Sequence, residues 1–359
     1  MLWLVGTGID GYRGLTIAAL EVLRKCEIVY IERFTSALSE EDIKGLNSLL
    51  ETPAEPVQRW FVEDGRDIIE AAKTKDVALV TYGDPLIATT HSELRSRAAR
   101  NLVKTTVLHS ASGIASTIGE SGLHIYKFGR MVTMMSEFHS AITVYDTIFQ
   151  NLLAGSHTMI LTEYSYNDES KAPFFLSPSS VFKMLLDAEQ THKHQIISDD
   201  TFAVVASRVG TKDQKITSGK VRSLKQLEFG IGPHSVIITG SLHFTEIQAL
   251  NALTEDIDEP TDNSQRANRI ETRMVERYAP KAKQAVQETH NFLRNSIDDD
   301  SNKGIFETLE NAECYIVDAE RFLRQGKFEL AVLSIGYAEG LIDAIRYQKG
   351  INPWNSPPT

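Results

Sequence analysis

The chain has 359 residues, 42% of them hydrophobic, and a formal net charge of −11; this supports more than one core and predicts two or three domains, while the negative charge opposes non-specific attachment to nucleic acid, which needs a basic surface. Cys26 and Cys314 are the only cysteines, which excludes a disulfide framework and a cysteine-ligated zinc site and leaves both as buried, inert thiols. No run reaches the roughly 20 apolar residues of a membrane span, and the opening Met-Leu-Trp-Leu-Val lacks the charged start of a signal peptide, so a cytosolic protein is expected.

From residue 1 to about 250, apolar β-rich runs alternate with helical patterns, the arrangement of parallel sheets joined by crossover helices. Strands are expected at 2–5, 27–31, 77–82, 105–109, 158–162, 201–207 and 235–239, with helices at 15–25, 67–74, 92–102 and 180–190. Glycines cluster at 119–129, so one α/β domain is expected over 1–118 and a second over 119–253. The next stretch, 254–264, carries Glu255, Asp256, Asp258, Glu259 and Asp262 without a basic residue, and Pro260 sits among them. That composition predicts an acidic linker.

Beyond it, 265–296, 303–325 and 328–349 show helical spacing without strand signals, punctuated by an acidic loop at Asp298–Asp300 and by Gly326. Ile305, Leu309, Ile316 and Phe322 fit one helix face, as do Leu330, Leu333, Tyr337, Leu341 and Ile345. A three-helix domain over 265–350 is the simplest outcome, suited to attachment rather than catalysis.

Three strand-end loops carry the candidate chemistry. Gly6-Thr7-Gly8-Ile9-Asp10-Gly11 matches G-x-G-x-x-G, and Glu32 ends the next strand, as a dinucleotide site would require. Tyr12, Arg13 and Gly14 intervene before the helical pattern resumes, so a tight turn beside some ligand is the stronger reading and nicotinamide binding the remote alternative. Gly83-Asp84-Pro85-Leu86-Ile87-Ala88-Thr89-Thr90-His91 follows an apolar strand, at the carboxyl edge where open parallel sheets bind ligands. Thr90 with Glu93 is expected to form a capping box, and a plain turn with a capped helix accounts for the same spacing. The small-residue loop His109–Ser116 suits an adenosine or amino-acid ligand lying against backbone amides. His192 and His194, near Asp199 and Asp200, lack the i, i+4 spacing of a helical metal pair and enclose Lys193, so a solvated loop and no metal are expected. No phosphate loop of the G-x-x-x-x-G-K-[ST] type and no G-x-S-x-G elbow is present.

Taken together, the first glycine loop, Gly83–Glu93, Gly122–Gly129, Asp199-Asp200-Thr201, Gly232-Pro233-His234 and Gly240-Ser241-Leu242-His243 resemble the diphthine synthases of the tetrapyrrole methylase superfamily, from Met1 to about Leu253. The resemblance implies S-adenosylmethionine held in a cleft between two α/β domains, with Ile9, Asp84 and Ile87 as contacts. It adds Ser112 with its neighbour Gly113 or Ile114 and, from the second domain, Thr162, Val209 and His234. Thr162 and Val209 stand where leucine and alanine are expected in relatives, so backbone contacts are expected there. Met134–Ser140 likewise departs from a Pro- and Trp-containing segment. The implied acceptor is the amino group of a 3-amino-3-carboxypropyl arm on a histidine of translation elongation factor 2, methylated three times by a homodimer; no catalytic residue is assigned. The C-terminal helices resemble a small archaeal helical domain of unknown function, found alone or fused. A superfamily methyltransferase acting on a corrinoid precursor or ribosomal RNA is the second reading, a nicotinamide oxidoreductase the third, and a non-enzymatic adaptor the fourth.

Overall fold

The first glycine loop owes its position to β1 (Leu2–Gly6), an inner strand of a five-stranded sheet, next to its edge strand. The sheet also contains β2 (Ile28–Glu32), β3 (Glu55–Val57), β4 (Val77–Thr81) and β5 (Thr105–Leu108), in the order β3-β2-β4-β1-β5 with every pairing parallel. β4, Val-Ala-Leu-Val-Thr, is buried at each position because helices cover both faces. One face packs Leu4 and Leu79 under Ile68 and Leu94, the other packs Val5 and Val80 under Ala19, Leu23 and Ile43. The helix after β1, Ile17–Leu23, and the helix after β4, His91–Arg100, therefore lie on opposite faces. Since β1 and β4 are neighbours, their outgoing chains diverge and open a crevice at their carboxyl ends. These coordinates come from a computed structural model, which describes residues 1–167, 172–267, 269–294 and 303–351.

The second sheet is built from β6 (Val132–Met134), β7 (Thr158–Thr162), β10 (Phe202–Ser207), β11 (Lys215–Lys220), β12 (His234–Ile238) and β13 (Glu255–Asp256). β8 (Tyr164–Asn167) and β9 (Ala172–Phe175) form a separate hairpin. Mostly parallel pairing is expected, and in the first sheet every pairing is parallel. In the second, order β13-β11-β10-β12-β7-β6, only the outer pairings are parallel and the three inner ones are antiparallel. The short connection from β10 to β11 dictates this locally, because a parallel neighbour requires a crossover of a dozen residues or more. A helix absent from the sequence reading, Phe138–Leu153, buries Ala141, Val144, Tyr145, Ile148 and Leu152 beside Phe182 and Leu185 of the helix Pro178–His192. His192 and His194 correct the solvated-loop expectation: their rings stack on Tyr145 at 5.3 and 5.8 Å, and His194 also stacks on Phe149 at 4.7 Å.

By contacts the chain divides into two compact units, Met1–Ala267 and Asn268–Thr359. Within the first, residue 118, the expected domain boundary, lies inside the helix Gly113–Ser121, whose Ile118 packs with Met159, Phe202 and Ile237 of the second sheet. The stretch expected as an acidic linker is attached to that sheet. Glu255 and Asp256 pair with β11, and Asp258 Oδ2 accepts the Lys220 amide at 2.9 Å. Fully buried Asn263 donates to the carbonyls of Phe202 (2.7 Å) and Thr239 (2.9 Å) and accepts the Phe202 amide at 3.1 Å. The Phe202 carbonyl also accepts the Thr239 hydroxyl at 3.3 Å, so Asn263→Ala leaves the Phe202 amide and the Thr239 carbonyl without their partner and is expected to cost about 3 kcal/mol. Accordingly, a chain cut after Ala267 should keep the urea midpoint of the α/β unit, whereas one cut after Glu259 should unfold at markedly lower urea. Equal midpoints would exclude a structural role for Asn263.

The second unit consists of the helices Ile270–Arg294, Lys303–Arg324 and Phe328–Gln348. Leu309 and Ile316 are buried as their spacing predicts, together with Ala312 and Ala319. On the third helix the buried stripe is rotated from the expected one. Ala331, Ile335, Ala338 and Ile342 face inward beside Ile345, with Leu341 packed against them as expected, while Leu330, Leu333 and Tyr337 are exposed. Small alanines allow close packing there, and hydrophobic size alone misreads such a face. Cys314 is exposed, contrary to expectation, and Cys26 is buried with its thiol pushed up to about 11 by burial. The loop at 298–300 lies outside the described residues.

Candidate active site

The carboxyl ends of β1 and β4 are clamped together. The Thr7 amide donates to Thr81 O at 2.8 Å, Gly8 and Gly83 exchange backbone hydrogen bonds of 3.1 and 2.8 Å, and both glycines have φ near +75° (76° and 74°). A Cβ on Gly6 would lie 2.4 Å from Gly83 O, so the approach of the two loops depends on glycine. The Tyr82 hydroxyl donates to Ile9 O at 2.9 Å and fixes the glycine loop from beneath. Asp84, only 6% exposed, turns its carboxylate back onto the protein. Oδ1 accepts the Leu86 amide at 3.0 Å, and Oδ2 accepts the Ser110 amide at 3.3 Å and lies 2.7 Å from His109 Nδ1. It thereby ties the loop after β4 to the loop after β5. Thr90 occupies the N-cap position of the next helix without a side-chain cap bond, so the expected capping box does not form.

The second sheet reaches the same place through its antiparallel register. Ser207 pairs with His234 and Ser235 with Leu161, which puts the start of β12 beside the ends of β7 and β10. Thr162 Oγ1 donates to His234 O at 2.9 Å. The His234 ring lies 2.9 Å from Ser207 Oγ through Nδ1 and 3.2 Å from Gly230 O through Nε2. Burial lowers its basicity, the Gly230 carbonyl opposes this and Arg208 adds to it. The neutral ring with the proton on Nε2 satisfies both contacts. At Gly210, φ +83°, a Cβ would lie 2.3 Å from Ile9 Cδ1, so the turn after Val209 packs directly on the first glycine loop.

Between the two sheets lies a cavity of about 290 Å³, lined by Ile9, Asp84, Ile87, Ser112, Gly113, Ile114, Thr162, Val209 and His234, the nine positions singled out from the sequence. Its volume lies at the small end of small-molecule sites, roughly 300–1,000 Å³. Sequence reasoning missed Phe34, Arg59, Tyr82, Thr117, Thr133, Met135, Leu161, Glu163, Tyr164 and Ser235, which also line it. Strand ends at Leu161 and Ser235 were the available signal, but only the antiparallel register makes them neighbours. At Gly83 and Gly113 an added Cβ would meet a single atom, 3.9 Å away in each case, so both backbones face open cavity. Exposed peptide, apolar Ile9, Ile114 and Val209, and a neutral histidine suit an adenosyl ligand.

The dinucleotide alternative fails on geometry. Glu32 is fully buried, and its carboxylate accepts the amides of Phe34 (3.0 Å) and Thr35 (2.9 Å) and the hydroxyls of Ser36 (2.5 Å) and Thr35. It holds its own loop and has no capacity for ribose. The third glycine opens only a short 3-10 turn, Gly11–Gly14, and the first α-helix starts beyond it at Ile17, capped by Thr16 through the Ala19 amide at 3.1 Å.

The Gly122–Gly129 and Gly240–His243 strings meet away from the cavity, on Glu246. This fully buried carboxylate accepts the amides of His243 and His124, each at 2.8 Å, the Lys127 ammonium, and His157 Nε2 at 3.0 Å. These strings knit the second half together.

A profile described as Tetrapyrrole (Corrin/Porphyrin) Methylases matches residues 1–225, and one described as a protein of unknown function (DUF357) matches residues 277–351. The chain belongs to the tetrapyrrole methylase family and is an S-adenosylmethionine-dependent methyltransferase. Within the family its relatives include diphthine synthases. Those of Methanocaldococcus jannaschii and Methanococcus maripaludis are 34% and 32% identical over 260 residues, covering 72% of this chain and 100% of each relative. A crystal structure of diphthine synthase matches with a TM-score of 0.62 at 26% identity, over 71% of this chain and 96% of that one. No helix among the described residues is long and apolar enough to cross a membrane.

Proposed function

We propose that this chain is a diphthine synthase, which transfers three methyl groups to the amino nitrogen of a 3-amino-3-carboxypropyl arm on a histidine of translation elongation factor 2. The observation that carries this reading is the convergence on one cavity of the nine positions carried over from the resemblance, in a chain whose relatives bear that name. S-adenosylmethionine supplies an electrophilic methyl group when bound. Ile9, Ile114 and Val209 offer it apolar walls, and the Gly83 and Gly113 backbones admit it closely. Neutral His234 places no cation against a sulfonium, and Asp84 holds two of the lining loops in register. The surrounding protein positions the reactants and excludes water, the main requirements of an in-line displacement. A cytosolic homodimer is part of the same reading.

With excess S-adenosylmethionine, the purified chain should add the mass of three methyl groups to elongation factor 2 bearing the arm, and none to the unmodified factor. The quaternary product has no lone pair, which ends the series. Intact mass spectrometry with fragmentation at the histidine tests this. No methylation of the modified factor, alongside turnover of a corrinoid precursor or RNA, would replace the reading.

A further inference from the structure

Among the described residues lining the cavity, those with ionised side chains are Arg59, Asp84 and Glu163. Asp84 is committed to His109 and to backbone amides. The other two are one cation and one anion, and neither is among the positions carried over for the cofactor. Arg59 begins the helix Arg59–Asp64, and its guanidinium carbon lies 5.1 Å from the centroid of the Phe34 ring. Its acidic neighbour Glu63 is 3.9 Å away, an exposed pair of small worth that leaves the guanidinium free to bind. Glu163 is held from both sides. Its amide donates to Met134 O at 2.9 Å, its carbonyl accepts the Leu176 amide at 3.0 Å, and Oε2 accepts the Ser136 amide at 2.7 Å. One backbone bond fixes a carboxylate without exhausting its lone pairs.

We propose that Arg59 and Glu163 hold the amino-acid end of the acceptor arm, Arg59 on its carboxylate and Glu163 beside the nitrogen that is methylated. The inference rests on the functional reading above. The arm carries amino and carboxylate groups on a single carbon, so its recognition requires one anion and one cation at close range. In each transfer the nitrogen lone pair forms the N–C bond while the C–S bond breaks with its electron pair left on sulfur. Positive charge thus passes from sulfur to nitrogen, and a fixed carboxylate at the nitrogen end stabilises the charge as it arrives. Coulombic attraction needs no N–H, so the same carboxylate serves the amine at every stage up to the quaternary product. Before each attack a proton leaves the ammonium for solvent.

The methionyl end of the donor also carries an amine and a carboxylate, and the test separates the two ligands. Arg59→Gln and Glu163→Gln are compared with the wild type by calorimetry with S-adenosylhomocysteine and by steady-state methylation of the modified factor. Both variants are expected to bind S-adenosylhomocysteine within about twofold of the wild type. Arg59→Gln should raise KM for the modified factor about thirtyfold, the loss of a hydrogen-bonded charge pair, with Arg59→Lys partly restoring it. Glu163→Gln should lower kcat about tenfold or more. It should also move the rising limb of kcat to lower pH, because the ammonium loses the carboxylate that favours its charged form. Loss of S-adenosylhomocysteine affinity in both variants assigns the pair to the donor and overturns the inference, as do unchanged KM, kcat and pH profile in an otherwise active enzyme. An inactive wild type on the modified factor overturns the functional reading and this inference with it.

Discussion

Gly113→Leu is expected to weaken S-adenosylhomocysteine binding at least about a hundredfold while leaving the ligand-free melting temperature near that of the wild type. Gly113 is the first residue of the helix Gly113–Ser121, and a Cβ there meets only Ile9 Cγ2, at 3.9 Å. A leucine therefore extends into the cavity of about 290 Å³ and occupies space the ligand needs. Replacing glycine in a helix also removes some backbone entropy from the unfolded chain, so the fold has no reason to suffer. Gly119 provides the control: it lies on the same helix, exposed, with nothing within 4 Å of an added Cβ, and Gly119→Leu should bind as the wild type does. Thermal shift and calorimetry with S-adenosylhomocysteine read both. Normal binding by Gly113→Leu would remove this cavity as the donor site, and loss of binding in both variants would implicate the helix rather than the cavity.

The parallel half of the site was legible from elementary rules. Residues 77–80 are apolar throughout because their strand is covered on both faces, and Gly83-Asp84-Pro85 follows at the edge where an open sheet binds ligands. The second half was not. Hydrophobic period reveals that β7, β10 and β12 are strands, but carries no information on direction, and direction decides that His234 opens β12 beside the end of β7. Ile142, Thr143, Val144 and Thr147 gave Phe138–Leu153 the composition of a strand, although its buried residues recur at helical spacing. The acidic stretch before the second unit looked like a tether because its composition is charged, while the attachment lies in the backbone pairing of Glu255 and Asp256 with β11, in the Asp258 carboxylate on the Lys220 amide and in the buried Asn263, none of which composition distinguishes from a loop. Resemblance supplied the positions that physics alone left open. It did not separate roles: the long Gly122–Gly129 string is as specific as the Asp84 loop, yet it serves the Glu246 network rather than the cavity.

That network should be the most acid-sensitive part of the molecule. Burial opposes the charge on Glu246, but the His243 amide, Lys127, the His124 amide and His157 together hold its carboxyl at about 2, well below its ordinary 4.5. Every neighbour is a donor. Glu246→Gln therefore turns an amide NH₂ toward donors and leaves Lys127 without its anion, so it should cost nearly as much as Glu246→Ala, about 3–5 kcal/mol. For a unit of this size that is a fall in melting temperature of roughly 10 °C. The linkage runs in one direction. A carboxyl depressed in the folded state contributes stability that is complete above pH 4.5 and is lost as pH falls through about 2. His157, whose basicity burial lowers despite Glu246, accepts the Gly240 amide through Nδ1 at 2.8 Å and must stay neutral to do so. Its contribution is complete above its ordinary 6.5 and declines as pH falls below that value, because the unfolded chain takes up the proton first. The wild type should therefore lose melting temperature in two stages, from pH 6.5 downward and again below 4.5, whereas Glu246→Gln should start lower and show a flatter second stage. A variant with the wild-type melting temperature, or with an unaltered slope below pH 4.5, would mean that the four donors are satisfied by some other group.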